Sequence, residues 1–123
     1  MTIKRVHVGK RLSEVCILNN VAYLAGQVPE KTLEKGIEEQ TYEVLTMVEN
    51  LLLEVKSDKT NILQTQIFLK KIEDIHAMNQ VWDAWIPEGY TPARATVQAE
   101  LADPRWLIEI VVVAAVPILM SDN

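Results

Sequence analysis

Two ionisable residues in the last third of the sequence stand among mostly uncharged neighbours. Arg94 lies in the alternating segment T-P-A-R-A-T-V-Q-A-E-L, and Glu109 is the single carboxylate of the apolar segment L-I-E-I-V-V-V-A-A. A guanidinium stays charged and offers a planar fork of donors, so Arg94 is suited to holding the carboxylate of a small organic acid. Apolar surroundings raise the pKa of a carboxyl group, which suits Glu109 to general acid–base work on a water or a leaving amine.

Both residues also have purely structural explanations. Arg94 could form a salt bridge with Glu100 or Glu109, and Glu109 could simply neutralise an arginine, because structural ion pairs are common. Thr96 falls on the same side of the alternating segment as Arg94. It could lend its hydroxyl or backbone groups to a ligand, or it could be an ordinary β-branched strand residue. The residues alone leave these alternatives open.

The elements around these two residues determine whether they can act together. Alternation predicts a strand around Arg94, and the apolar run Leu107 to Ala115 predicts a second strand buried on both faces. Asp103-Pro104 is typical of a turn, so we expect the two strands to pair as a hairpin in which Arg94 faces Val113. Glu109 would then share the face of Arg94 but lie about 13 Å along it. A site that uses both residues would therefore close across a subunit interface, unless the register shifts by one residue.

The rest of the chain is predicted to form short strands and two amphipathic helices. Apolar residues at helical spacing indicate one helix over Ile37 to Lys56 and a second from about Ile72 to Ile86. Asn19-Asn20 between apolar runs is typical of a two-residue hairpin turn. Four further strands are predicted, over Ile3 to Val8, Glu14 to Asn19, Val21 to Ala25 and Ile62 to Leu69.

The predicted element order is β-β-β-α-β-α-β-β. It indicates an α+β fold in which both helices cover one face of a six-stranded, mostly antiparallel sheet, and a single domain spanning residues 1–123. Two helices leave the other face uncovered, and the last predicted strand is apolar on both faces. We therefore expect the uncovered face to be buried against further copies of the chain.

Composition narrows the class of protein. Apolar residues make up 49% of the chain and charged residues 24%, which is typical of globular proteins. The net charge is -5 and the sequence has no basic run, which argues against nucleic-acid binding. The longest apolar stretch, Ile110 to Met120, is interrupted by Pro117 and is shorter than the about 20 residues of a membrane span. Cys16 is the only cysteine, and the first residues show no apolar signal segment, so we expect a cytoplasmic protein without disulfides or a metal site.

Four segments, taken in order, resemble the motifs of the Rid family, also called the RidA/YjgF family. They are V-A-Y-L-A-G-Q-V-P from Val21, A-M-N-Q-V-W-D-A-W from Ala77, P-A-R-A-T-V-Q-A from Pro92 and L-I-E-I-V-V-V-A-A from Leu107. The most specific feature is the spacing between the arginine and the glutamate, 109 − 94 = 15 residues. The resemblance covers essentially the whole chain.

The resemblance implies a chorismate-mutase-like homotrimer with sites between subunits, which hydrolyses reactive 2-imino or enamine acids to 2-keto acids and ammonia. In the family's deaminases, the arginine matching Arg94 holds the substrate carboxylate, and the glutamate matching Glu109 positions the attacking water. The pocket-lining glycine matches Gly26, and a residue whose backbone contacts the ligand matches Thr96. Leu12 stands where many of these deaminases carry a pocket tyrosine, which implies a divergent subgroup.

The leucine at position 12 keeps a second interpretation open. Without the tyrosine phenol, the trimer could bind small 2-keto or amino carboxylates without turning them over. In both interpretations the expected partner is a small-molecule carboxylate, and no nucleic acid or membrane is expected. No metal ion or organic cofactor is expected either, because the imine carbon of a deaminase substrate is already electrophilic.

Overall fold

The computed structural model describes residues 2–117, which form one mixed sheet and two α-helices. The strands are β1 (Lys4–Val8), β2 (Ser13–Leu18), β3 (Val21–Leu24), β4 (Ile62–Leu69), β5 (Ala93–Gln98) and β6 (Ile108–Ala115), and the helices are α1 (Ile37–Glu54) and α2 (Ile75–Trp85). This order confirms the predicted α+β succession, although α2 begins three residues later than expected, after a 3-10 turn at Ile72–Asp74. Residues 118–120, at the end of the apolar stretch noted above, lie outside the described residues.

Helix α1 forms where the apolar stripe predicts it, and its end is defined by backbone hydrogen bonds. Lys56 adopts a positive φ of 65°. The Lys56 amide donates to the Leu53 carbonyl at 3.1 Å, and the Ser57 amide donates to the Leu52 carbonyl at 2.8 Å. This Schellman arrangement satisfies carbonyls that the helix end leaves free. The Ser57 hydroxyl then donates to the Ala115 carbonyl at 2.6 Å, which ties the end of α1 to β6.

The sheet has the strand order β1-β2-β3-β6-β4-β5. β4 and β5 are parallel, and every other neighbouring pair is antiparallel. Asn19 and Asn20 have φ angles of 52° and 64°, which confirms the predicted tight hairpin between β2 and β3.

The predicted β5–β6 hairpin is wrong. β4 lies between the two strands, β6 is central, and β5 is an edge strand. The segment β4–α2–β5 is a crossover unit, which brings β5 back parallel to β4. Residues 99–107 then pass β4 before β6 pairs with both β3 and β4. Asp103-Pro104 does begin a turn, since the Trp106 amide donates to the Asp103 carbonyl at 3.0 Å. This turn is part of a longer connection and does not close a hairpin between β5 and β6.

One face of the sheet carries the core. Both helices pack there against the buried strand residues, which include Ile67, Ile110 and Val112. No element among the described residues covers the opposite face, on which Tyr23 is 49% exposed and Val97 is 48% exposed. We call this the open face. The helices are therefore placed as predicted, and the open face remains available to a neighbouring molecule.

The buried side chain of Gln40 on α1 connects two loops. Its Nε2 donates to the carbonyls of Thr32 at 3.2 Å and Arg105 at 3.0 Å, and weakly to that of Lys35 at 3.4 Å. Its Oε1 accepts from the Leu107 amide at 2.8 Å. A buried amide that is fully paired in this way fixes the relative positions of both segments.

The carboxylate of Glu43 holds the loop that follows β3. It accepts from the backbone amides of Glu30, Lys31 and Thr32 at 3.1, 2.9 and 3.1 Å, and from the Thr32 hydroxyl at 2.6 Å. Burial raises the pKa of Glu43, but the hydrogen bonds from Thr32, Lys31 and Glu30 more than offset this, so its pKa lies below the ordinary value.

Candidate functional site

Arg94 lies on the helix-covered face of the sheet. It pairs with Thr65 of β4, and Thr65 is fully buried under the helices. The Arg94 Cζ lies 5.2 Å from the centroid of the Trp82 ring on α2, and Trp82 is only 4% exposed. A guanidinium over a buried indole is held by a cation–π interaction. The edge strand and α2 together therefore position the cation.

Arg94 opens into a cleft of about 310 Å³ that is also lined by Asn79, Trp82, Asp83, Thr91 and Pro92. Within residues 2–117, Arg94 has no salt bridge, so the structural alternatives with Glu100 and Glu109 are not realised. The guanidinium is partly exposed at the mouth of the cleft and its donors are free for a ligand.

Two polar oxygens next to Arg94 are buried without partners in the described part of the chain. They are Oγ1 of Thr96, two positions along β5 on the same face, and Oδ1 of Asn79, which lines the cleft. Buried polar atoms are nearly always hydrogen-bonded, so both oxygens keep unused hydrogen-bonding capacity.

Glu109 lies on the open face. It alternates with the fully buried Ile108 and Ile110 and pairs with Phe68 of β4. Burial raises the pKa of its carboxyl group above the ordinary value. None of the salt bridges formed by residues 2–117 involves Glu109, so its second structural explanation, neutralisation of an arginine, is not realised either.

The Glu109 carboxylate occupies the space directly over Gly26. A Cβ atom at Gly26 would lie 2.0 Å from Oε2 and 2.9 Å from Cδ of Glu109. Next to this contact, Gln27 and Ile110 exchange two backbone hydrogen bonds of 2.8 and 3.0 Å, which hold the two segments together. The absence of a side chain at Gly26 is thus what lets the carboxylate lie there.

Leu12 lies at the same end of the sheet as Gly26. The Ala25 amide donates to the Glu14 carbonyl at 2.9 Å, so in this antiparallel pair the residues before Glu14 run beside those after Ala25. Leu12 is 55% exposed, and its carbonyl accepts from the Gly9 amide at 2.8 Å. Leu12 therefore presents an exposed apolar side chain at this end of the sheet.

The five predicted site residues fall into two half-sites. We call Arg94 and Thr96 the arginine half-site, and Leu12, Gly26 and Glu109 the glutamate half-site. The prediction that Arg94 and Glu109 share a face is wrong. Their partners on β4, Thr65 and Phe68, are three positions apart, and an odd separation along a strand places side chains on opposite faces. One chain therefore cannot bring the two half-sites together.

The sequence interpretation missed part of the arginine half-site. Trp82 has the helical spacing of a core residue and is almost completely buried, but its ring is also the platform under Arg94. Asp83 was not considered. Asn79, Trp82 and Asp83 have i, i+3, i+4 spacing, so they share one face of α2, and this was the available signal.

Comparison with known proteins identifies the family. The family model described as "Endoribonuclease L-PSP" matches residues 2–116. A crystal structure of a YjgF-family protein from Neisseria meningitidis superposes with a TM-score of 0.93 at 39% identity, covering 97% of this chain and 98% of that one. The chain belongs to the Rid family. A RutC family protein of Haemophilus influenzae is 53% identical over 114 residues, 93% of this chain and 98% of its own length.

A further relative agrees with this assignment. The RutC family protein YoaB of Escherichia coli is 44% identical over 116 residues, 94% of this chain and its entire length. Three of the four motifs of the Rid resemblance contain the half-site residues Gly26, Arg94, Thr96 and Glu109. The fourth motif supplies Trp82, on which Arg94 lies. The chorismate-mutase-like α+β fold is shared with the solved structures. No helix of the described residues is long and apolar enough to cross a membrane.

Proposed function

We propose that this Rid protein is a cofactor-independent deaminase that hydrolyses reactive 2-imino or enamine acids to 2-keto acids and ammonia. The observation that carries the proposal is the unpaired Arg94 guanidinium, which opens into a cleft instead of joining an internal ion pair. A cation held in this way is a binding site for an anion, and its planar fork fits a carboxylate with two parallel hydrogen bonds.

A neighbouring copy of the chain supplies the acid–base group in this proposal. Glu109 and Arg94 lie on opposite faces of one sheet, and the open face around Glu109 carries partly exposed apolar side chains. Burying that face against another copy removes apolar surface from water. Cyclic association would place the glutamate half-site of one copy against the arginine half-site at the edge of the next, and the family resemblance favours three copies.

The chemistry needs only water as a co-reactant. Arg94 binds the carboxylate of the protonated imine and so orients its C2 carbon. The Glu109 carboxylate takes a proton from water while the water oxygen adds to C2, giving a carbinolamine. Glu109 then returns the proton to the nitrogen. The C2–N bond breaks while the Glu109 carboxylate takes the proton of the C2 hydroxyl group, so the 2-keto acid forms and ammonia leaves. Ammonia finally accepts that proton from Glu109, which regenerates the carboxylate and gives ammonium. Burial raises the pKa of Glu109 above the ordinary value, which makes its carboxylate a stronger base for the proton transfer from water.

A second candidate is a trimeric protein that binds small 2-keto or amino carboxylates without turnover. The exposed apolar Leu12 in the glutamate half-site favours it, because a leucine offers no hydroxyl to a reacting group. An RNA-cleaving activity, which the family model's description names, is disfavoured by the net charge of -5 and the lack of a basic run.

A trapping assay tests the proposal. Purified protein is added to an amino-acid oxidase that generates imino acids in the presence of semicarbazide, and formation of the semicarbazone is followed. Wild type is expected to suppress the trapped product and release ammonia. Arg94→Ala is expected to lose at least about 100-fold in kcat/KM, because it removes the group that orients the substrate.

The matched control is Arg105→Ala. The Arg105 side chain pairs with Asp103 outside the cleft, so this substitution removes the same charge without touching either half-site. Suppression by wild type and Arg105→Ala but not by Arg94→Ala supports the deaminase. Wild-type protein that leaves the trapped product unchanged with several amino acids, yet binds 2-keto acids, refutes turnover and favours the binding protein.

A further inference from the structure

We infer that Asp83 makes the arginine half-site selective for ligands that carry N–H donors at C2, so that the site distinguishes the imino or amino acid from the 2-keto acid. This inference rests on the proposed function for the identity of the substrate, but it concerns binding and not turnover.

The charges of the cleft carry the inference. Asp83 and Arg94 both line the cleft of about 310 Å³, yet among the described residues they form no salt bridge with each other. Opposite charges that face one cavity without contact can be bridged by a ligand that carries both signs. A protonated 2-imino acid has a carboxylate for Arg94. Two bonds from the carboxylate carbon it has a cationic nitrogen, whose hydrogens a carboxylate such as that of Asp83 can accept.

A second acceptor lies beside Asp83 on the same face of α2. Asn79 also lines the cleft, and its Oδ1 atom is buried without a hydrogen-bond partner. An unpaired acceptor gains a hydrogen bond from a ligand N–H group, whereas a keto oxygen brings only another acceptor. Asp83 and Asn79 therefore both favour a ligand with N–H donors at C2 over a 2-keto acid.

Product release follows from the same arrangement. Hydrolysis replaces the C2 nitrogen and its hydrogens with a carbonyl oxygen, which removes the donors and the positive charge. The keto product then places an acceptor opposite the Asp83 carboxylate, so its affinity falls while the Arg94 contact is retained. A site that accepts a hydrogen bond from a substrate N–H group binds the analogue without that group, here the 2-keto acid, more weakly.

The test uses two four-carbon acids that differ only at C2. Binding of 2-aminobutanoate and of 2-oxobutanoate is measured by calorimetry near neutral pH. Wild type is expected to bind the amino acid about five- to tenfold more tightly, as for a partly exposed charged hydrogen bond. In Asp83→Asn this preference is expected to fall to near one, mainly through weaker binding of the amino acid.

The matched control is Glu88→Gln, which removes an exposed carboxylate just beyond α2 that does not line the cleft, and it is expected to leave the preference unchanged. Arg94→Ala is expected to weaken both ligands. Equal wild-type affinities, or an Asp83→Asn variant with the wild-type preference, overturns the inference.

Ammonia release from imino acids, measured on the same proteins, separates this inference from the proposed function. Deamination by wild type together with an unchanged preference in Asp83→Asn overturns the subsite alone. A preference that depends on Asp83 without any ammonia release supports the subsite and refutes the deaminase.

Discussion

Replacement of Gly26 with alanine tests whether the Glu109 carboxylate acts from its observed position. The added methyl group would lie 2.0 Å from Oε2 of Glu109, well inside van der Waals contact. The carboxylate oxygen must therefore move by about 1.3 Å or more to restore an ordinary contact. Because the clash is with the free end of a side chain, Glu109 can rotate away while the backbone remains in place.

The expected consequence is a large loss of activity with little loss of stability. A displacement of this size in a reacting group costs about 100-fold in rate. Gly26 does not have a positive φ, so alanine fits its backbone, and the free energy of unfolding should change by about 1 kcal/mol or less.

The assay is kcat/KM from semicarbazide competition, with thermal unfolding measured in parallel. Gly36→Ala is the matched control, because its Cβ would make only an ordinary contact of 3.6 Å with Glu39. In a Glu109→Gln background, Gly26→Ala should add almost no further loss, since both changes act on one carboxylate. A folded Gly26→Ala protein with activity within about twofold of wild type would refute this account of the glutamate half-site.

Three further predictions concern assembly and stability. If the site is shared between copies as proposed, Arg94→Ala and Glu109→Gln should each be inactive alone. Mixed assemblies of equal amounts should recover about one quarter of wild-type activity, because a quarter of random interfaces pair both intact residues. An inactive mixture argues against a shared site. Gln40→Ala should lower the free energy of unfolding by about 2–4 kcal/mol in denaturant titrations, because it leaves the buried backbone partners of the Gln40 side chain without hydrogen bonds. The control Gln80→Ala, at an exposed position, should lower it by no more than about 0.5 kcal/mol. Glu43 has a lowered folded pKa, so its stabilisation is present above the unfolded pKa and is lost as pH falls through the folded pKa. Wild type should therefore exceed Glu43→Gln in stability at pH 7, and the difference should shrink as the pH is lowered. A difference that stays constant throughout an acid titration contradicts this assignment.

Several features of the fold could be predicted because they depend on local pattern. Apolar spacing placed helix α1 to within two residues at its end, and the two asparagines after β2 predicted a turn with positive φ angles. Alternation within β5 also placed Arg94 and Thr96 on one face, because successive side chains of any strand point to opposite sides.

The choice of strand partners could not be predicted in the same way. A turn signal at Asp103-Pro104 favoured a hairpin, but the crossover through α2 made β5 a parallel edge strand and left β6 in the centre. Alternation determines which residues of one strand share a face of the sheet. It does not determine which residues of a different strand lie on that same face. The sequence therefore could not show that Arg94 and Glu109 point away from each other.

The surroundings of each charged group were likewise decided by the tertiary structure. The contact of Arg94 with Trp82 instead of a carboxylate, and the position of Glu109 over Gly26, join residues distant in sequence. Residue types and their alternation identified the groups capable of chemistry, since charge and hydrogen-bonding capacity belong to single side chains. Which faces and neighbours those groups acquire depends on long-range strand pairing and helix packing, which only the folded chain determines.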